Sequence, residues 1–250
     1  MNWSSFLKQL LRLAFYLLLA GFLYQAWHAG PFHEFTAPEA EGINTLILLI
    51  GSIYAVIFAF VIYVIWGQFT DVENFMMREC KSLNELLRFS DFLDPDPASA
   101  IRRAVGDYAQ HVVKSEWIAL AERRRDKVSE RSFSELLDVV LRVPHPTPEQ
   151  DAVYQRLIDI AREAGEQRDE RLTKSLTQIP PTLIRLVHTM AIALLLLVIL
   201  YPFHHWAAGL VCFLLLAIIL FLANLVMADT DNPFQGVYNI APKPFSDLRS

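Results

Sequence analysis

Carboxylates are the side chains of this sequence whose spacing suggests chemistry. Glu34, Glu39 and Glu41 lie in a short segment, 28–42, that contains no lysine or arginine. Repeated around the axis of an oligomer, such carboxylates would raise the local concentration of cations at a central opening. We therefore interpret these three residues as a candidate external mouth, and an ordinary solvated loop is the alternative.

A second group of oxygen ligands lies near the end of the chain. Asp229, Asp231 and Asn232 follow a long apolar segment within a few residues of each other. Hard cations favour several carboxylate and carbonyl oxygens, so this group is a candidate cation-binding site. The alternative is an Asx turn at Asp231 and Asn232 before Pro233, which needs no ion, with Phe234 and Phe245 anchoring the tail to the cytoplasmic bundle.

No motif for catalysis or for a cofactor was found in the chain. It has no Gly-rich phosphate loop, no His-Glu-x-x-His pair and no nucleophile elbow, so we predict that the protein is not an enzyme and needs no cofactor. The only cysteines, Cys80 and Cys212, have no second cysteine or histidine at metal spacing, and we assign no disulfide. A net charge of −5 gives no reason to expect a nucleic-acid partner.

Apolar segments that must lie in a membrane separate these groups. Mean hydropathy over the 250 residues is +0.30, which is too high for an ordinary soluble domain. Segments of this length and apolarity are typical of helices that cross about 30 Å of hydrocarbon. The four predicted spans are Leu10 to Trp27, Ile43 to Trp66, Leu183 to Tyr201 and Trp206 to Met227.

The positions of the cations predict the orientation of these spans. Of the 22 lysines and arginines, 17 lie in 67–182, and the segments 28–42 and 202–205 contain none. Because cations near membrane ends stay on the cytoplasmic side, both termini and the middle segment are predicted to be cytoplasmic. If the source is bacterial, the membrane is the inner one.

Four regions follow from this topology. They are a first transmembrane hairpin (1–66), a cytoplasmic helical domain (67–182), a second transmembrane hairpin (183–228) and a cytoplasmic C-terminal tail (229–250). The fold class is therefore all-α, an integral membrane protein with four transmembrane helices and a cytoplasmic helical bundle between the second and third spans.

Apolar periodicity and capping residues predict the helices of the cytoplasmic domain. The helix of the second span is predicted to continue into the cytoplasm and to stop at Asp94-Pro95. Further helices are predicted to start with Asp96 as N-cap, at a Ser132 capping box and at a Thr147 capping box. The tail is predicted to contain turns and no further helix.

The second span carries a stripe of small residues. Gly51, Ala55 and Ala59 recur every fourth residue, which brings them onto one face of a helix. Such a face permits close packing against another helix, or it can line a narrow pore without filling it. The spacing alone leaves both interpretations open.

Several stretches, in order and spacing, resemble the bestrophin-like family of bacterial membrane proteins, long catalogued as a domain of unknown function. The resemblance covers nearly the whole chain. The stretches that carry it are GSIYAVIFAFVIYVIWGQFTDVE, YAQHVVKSEW, RLTKSLTQIPP and DTDNPFQGVYNIAPKPF.

The resemblance implies a passive ion channel, because bestrophins are oligomeric anion channels whose second span lines the pore. It implies that one face of that helix is near the axis and that the opposite face, including Tyr54, Phe58 and Val61, packs against other helices. An apolar constriction on the pore face could gate by dewetting. The implied pore-lining residues are Ser52, Ala55, Ala59, Ile62 and Trp66.

The resemblance also implies partners and a regulator. The partners are membrane lipids, small inorganic ions and further copies of the chain, with a pentamer implied and a tetramer left open. Calcium at Asp229, Asp231 and Asn232 is the implied regulatory cation. The chain lacks the aromatic neck sequence of true bestrophins, which argues against anion selectivity. The external glutamates favour cations, whereas the resemblance favours anions.

A different class of function remains as the alternative. The chain could be a non-conducting membrane scaffold or signalling protein that recruits a partner through its cytoplasmic helices. A monomer or dimer, with the small-residue face buried in one neighbour, would distinguish this function from a channel.

Overall fold

The computed structural model describes residues 3–30, 36–145, 147–235 and 239–248, and gives only the backbone of residues 3–10, 12 and 13. Within these ranges the regular structure is entirely helical, as predicted. The helices are α1 (Trp3–His28), α2 (Ala40–Ser90), α3 (Pro95–His111), α4 (Trp117–Ala121), α5 (Lys127–Leu141), α6 (Pro148–Leu176), α7 (Pro181–Leu200), α8 (Trp206–Thr230) and α9 (Lys243–Asp247). A 3-10 turn (Ala37–Glu39) precedes α2, and a π-helical turn (Val112–Glu116) joins α3 to α4.

Three helical segments are long and apolar enough to cross a membrane, among the residues that the structure describes. They are Ala37–Ser90, Pro148–Leu200 and Trp206–Thr230. The predicted extension of the second span is confirmed, because α2 is one continuous helix of 51 residues. It ends at Ser90, a few residues before the proline pair that was predicted to stop it.

The chain forms two compact units. The first unit comprises Met1–Trp66 and Ile179–Asp231, and the second comprises Gly67–Gln178 and Asn232–Ser250. In the first unit α8 packs against both α1 and α7. In the second unit α5 packs against α3 and α6, around one apolar core that also includes the tail residues Phe234 and Phe245.

Two predicted helix starts in the second unit are wrong, and one is confirmed. Helix α3 begins at Pro95 with Asp94 as N-cap, two residues before the predicted start. Asp94-Pro95 and Asp96-Pro97 repeat the same pair, and either proline fits the first turn of a helix. Helix α5 begins at Lys127, where the side chain of Asp126 accepts from Ser129 N, and Ser132 is buried within the helix. At α6, Thr147 Oγ1 accepts from Gln150 N at 3.2 Å, as predicted.

The tail contains a short helix that the sequence did not predict. Helix α9 is a single turn, Lys243–Asp247, and Phe245 N donates to Pro242 O at 3.1 Å. Phe245 is fully buried in the core of the second unit. This burial confirms the predicted anchoring of the tail, and it stabilises a helix too short to be stable alone.

Candidate functional site

One face of α2 packs within the first unit. Tyr54, Val61 and Ile65 are buried there, in a cluster that also contains Val187 and Leu194 of α7. These residues of α2 follow spacings of seven and four, so they lie on one face of the helix. Helix α2 therefore has a fixed packed side within the single chain.

Four of the five residues implied to line a pore lie off this packed face, whereas Ile62 packs against the buried cluster. Ser52, Ala55, Ala59 and Trp66 are exposed in the single chain, and Ile62 is partly exposed. The hydroxyl of Ser52 donates to Leu48 O at 2.7 Å, so its hydrogen bond stays within the helix. The structure brings the four exposed residues together on one face of one helix, and the role of all five in a pore stays a prediction.

The predicted external mouth is only partly within the described residues. Glu34 lies outside them, Glu39 ends the 3-10 turn, and Glu41 lies in the first turn of α2. Both described glutamates are exposed. A carboxylate in the first turn of a helix interacts favourably with the helix dipole. Glu41 therefore has a structural role that is independent of ion conduction.

The candidate cation ligands belong to separate units. In the first unit, Asp229 lies in the last turn of α8 and the backbone N–H of Asp231 donates to Met227 O at 3.1 Å. In the second unit, the Asn232 amide donates to Ala121 O at 3.0 Å, and its Oδ1 accepts from Phe234 N at 3.1 Å. The Asx turn proposed as the alternative is thus present at Asn232.

The second unit contains a buried ion cluster that the sequence analysis missed. It consists of Glu79 from α2, Glu116 from the π-helical turn, and Arg168 and Arg171 from α6. Arg171 pairs with Glu79 at 2.7 Å and with Glu116 at 2.7 Å, and Arg168 pairs with Glu116 at 2.6 Å. The four side chains are at most 5% exposed.

Hydroxyl groups and aromatic rings surround the buried ion cluster. Tyr108 donates to Glu79, and Ser129 donates to Glu116. The guanidinium of Arg171 lies 5.7 Å from the ring of Trp117 and 5.3 Å from that of Phe245, within the range of cation–π attraction. Two cations and two anions therefore compensate each other inside an aromatic shell.

The buried ion cluster shifts the pKa values of Glu116 and of the neighbouring Tyr108. Burial alone would raise the pKa of the Glu116 carboxyl, but Arg171 and Arg168 outweigh burial and hold that pKa below its ordinary value. Burial, followed by the charge of Glu79, raises the pKa of the Tyr108 hydroxyl well above its ordinary value. Glu116 is thus a carboxylate and Tyr108 a neutral donor at physiological pH.

The π-helical turn explains how Glu116 and Trp117 both reach the core. The buried residues of α3 include Ile101, Val105 and Tyr108, and regular continuation of this α-helical register would carry Trp117 away from the buried face. One extra residue in a π turn shifts the register back. Trp117 is consequently buried, and its Nε1 donates to Ile240 O of the tail at 2.8 Å.

A signal for this cluster was present in the sequence. Glu79 lies in the register of the buried residues Val72, Met76 and Leu83, where a charge must have a partner if the face is buried. Arg171 lies on the buried face of α6, one residue before Leu172. A charge on an otherwise apolar face was therefore the signal, although it does not identify the partner.

No metal cluster is evident in the described part of the chain. Within those ranges, no group of three or more His, Cys, Asp or Glu residues is arranged to hold a metal ion. Cys80 is buried, and burial raises the pKa of its thiol far above the ordinary value, so that this thiol is a poor nucleophile.

Comparisons with known proteins agree on one family. Structures of a bacterial bestrophin homologue from Klebsiella pneumoniae superimpose on this chain. A variant with an isoleucine-to-threonine substitution gives a TM-score of 0.73 at 11% identity, over 95% of this chain and 98% of that chain. A leucine-to-threonine variant gives 0.74 at 12% identity, over 95% and 96% of the two chains. The structure phased on zinc gives 0.71 at 10% identity, over 94% and 95%.

These identities are low enough that the superpositions establish the fold alone. No curated protein matches the chain. The family model for the bestrophin-like domain matches residues 12–245, which is nearly the whole sequence. The chain therefore belongs to the bestrophin-like family.

Proposed function

We propose that this protein is a homo-oligomeric channel that conducts small inorganic ions passively, with the 43–66 segment of α2 around a central pore. The observation that carries the proposal is the division of that helix into two faces. Tyr54, Val61 and Ile65 are buried within the chain, whereas Ser52 and Ala59 are exposed. A face of small side chains that the chain itself leaves uncovered suits a narrow pore wall.

The proposed topology has four spans, formed by α1, the 43–66 segment of α2, α7 and α8. Both termini, the 67–182 domain and the 229–250 tail are cytoplasmic, and a bacterial source would make this the inner membrane. The concentration of lysine and arginine in 67–182 supports this orientation. The proposed assembly is a pentamer, as in the bestrophins that the sequence resembles.

An apolar constriction at Ile62 or Trp66 is the proposed gate. Apolar side chains that surround a narrow passage can close it by excluding water, without blocking it sterically. At the outer end, the proposed mouth consists of Glu34, Glu39 and Glu41, whose charges would favour cations.

Cysteine accessibility tests the pore face. The background is Cys212→Ala, and Cys80 can remain because its thiol is buried. We expect Ser52→Cys and Ala59→Cys to react with a water-soluble thiol reagent and to lose current. The matched controls Tyr54→Cys and Val61→Cys, on the packed face, should not respond. Reaction at the controls with protection of Ser52→Cys and Ala59→Cys would refute the face assignment.

Calcium is the proposed regulator at the end of α8. If Asp229 and Asp231 supply oxygen ligands, changing both to alanine should abolish the response of the current to calcium. Calcium sensitivity that persists in the double variant would exclude this site.

A further inference from the structure

A cavity of about 950 Å³ lies within the first unit, among α1, α7 and α8. Most of its lining is apolar, including Phe15 and Leu19 of α1, Leu195 of α7 and Leu220 of α8. No Lys, Arg, Asp or Glu is among the described residues that line it. A charged ligand would therefore lose its hydration there without compensation, whereas an apolar chain would not.

Three polar side chains line the same cavity, Tyr16, His188 and Asn224, and the last two present acceptors. Asn224 Nδ2 donates to Leu220 O at 2.8 Å, which fixes the orientation of the amide. Asn224 Oδ1 is buried and has no hydrogen-bond partner among the described residues. His188 Nδ1 lies 2.7 Å from Ile184 O. Because a carbonyl oxygen only accepts, Nδ1 carries the proton, and Nε2 of a neutral ring is an acceptor.

The two acceptors lie at similar depths along their helices. His188 is about two turns from the start of α7 at Pro181, and Asn224 is about two turns from the end of α8 at Thr230. At about 1.5 Å per residue, each lies roughly 10 Å from its helix end. In the proposed topology both ends are cytoplasmic. The cavity thus has a polar end toward the inner leaflet and an apolar end toward the bilayer centre.

We propose that this cavity binds a neutral, hydroxyl-bearing lipid of the inner leaflet, with its hydroxyl donating to Asn224 Oδ1 and its acyl chains along Leu195 and Leu220. The donor satisfies an acceptor that is otherwise buried without a partner, which in an apolar setting costs free energy. A lipid with a charged head group is disfavoured by the uncharged lining. The proposal rests on the proposed topology for its leaflet, and it is independent of ion conduction.

The test is native mass spectrometry of the intact oligomer with two probes that differ in one group. Dioleoylglycerol carries the free hydroxyl, and its O-methyl ether has the same acyl chains but no donor. We expect the wild type to bind dioleoylglycerol roughly three- to tenfold more tightly than the ether, the range for one hydrogen bond within a membrane.

Two variants localise the effect. Asn224→Leu removes the acceptor and should abolish the preference for the hydroxyl while acyl chains still bind. Thr189→Val is the matched control, because Thr189 lies beside His188 on α7 and donates to its own helix at Arg185 O. It should behave as the wild type. Equal binding of both probes to the wild type would overturn the proposal. Binding of neither probe would also overturn it, as expected if a neighbouring subunit fills the cavity.

Discussion

In the second unit Glu79 and Arg171 are completely buried, whereas in the first unit Phe15, Phe60 and Tyr63 are more than half exposed. The second unit follows the rule for a protein in water, with apolar side chains inside and its few interior charges paired. In the first unit, large apolar side chains lie on the outer surface, as expected where lipid or a neighbouring chain replaces water.

The difference shows where each unit obtains its specificity. In the second unit, a charged side chain in the core must meet a defined partner, so the ion pairs fix how α2, α6 and the π-helical turn pack. In the first unit, the interior is held by close apolar contact. Tyr24 stacks on Phe213 with 5.6 Å between ring centres, and small residues permit such approaches. Substitutions in the two interiors should therefore fail for different reasons.

The largest effect is expected from breaking the buried ion cluster. Arg171→Met leaves Glu79 without its cation partner and Glu116 with only Arg168. Loss of one partner of a buried pair costs about 3–5 kcal/mol, since a charge remains in the core. Urea denaturation in detergent, followed by circular dichroism, measures this loss in the free energy of unfolding.

The matched control for that variant is Arg162→Met on the same helix. Arg162 pairs with Glu166 at 2.9 Å, but both side chains are more than half exposed. Solvent screens such a pair, and its loss should cost at most about 1 kcal/mol. Equal destabilisation by the two variants would contradict the assignment of a buried cluster to the second unit.

A smaller effect is expected in the first unit from Gly209→Ala. A Cβ at this position would overlap Tyr24 Oη and lie 2.6 Å from a ring carbon of Phe203. Overpacking of this kind costs about 1–3 kcal/mol, because the surrounding side chains must move. Unfolding in mixed micelles with increasing SDS measures the loss.

Gly21→Ala in α1 is the corresponding control. An added Cβ at Gly21 meets no atom within 4 Å, so this variant should be as stable as the wild type or more stable. If both alanine variants unfold together with the wild type, the close packing at Gly209 does not contribute to stability.

The smallest of the three effects is a dependence on pH. The pKa of Glu116 in the folded state lies below its ordinary value of 4.5, so the ionised carboxylate stabilises the fold above about pH 4.5. That contribution is lost as the pH falls further, through the folded-state pKa. The urea midpoint should drop as the pH falls below about 4.5.

Glu116→Gln tests the origin of that dependence. The variant should be less stable than the wild type at neutral pH, because Arg168 and Arg171 lose their shared anion. Its midpoint should also change less with pH in the acidic range. An unchanged pH profile in this variant would assign the dependence to other carboxylates.

Local patterns in the sequence were sufficient for much of the fold. Apolar segments predicted the long α2, and the Thr147 capping box predicted the start of α6, because each signal lies within one turn or one helix. At α3 the local signal indicated Asp96 as the N-cap, whereas Asp94 is the N-cap in the structure. The residue that becomes the N-cap depends on which face of the helix is buried in the core.

The buried ion cluster could not be assembled from the sequence for the same reason. Glu79 and Arg171 are 92 residues apart, and only the packed unit brings them within 2.7 Å. The π-helical turn that brings Trp117 to the core has no local signature. For the candidate pore, the sequence placed Ser52 and Ala59 on one face, but a pore wall depends on neighbouring chains.

Current through the purified protein in a planar bilayer, under asymmetric salt, tests the central claim most directly. We predict discrete channel currents, and the sign of the reversal potential will show whether the external glutamates or the bestrophin resemblance predicts the selectivity. Silence from an intact, correctly inserted oligomer, across calcium, voltage and pH, would contradict the channel proposal and favour a membrane scaffold.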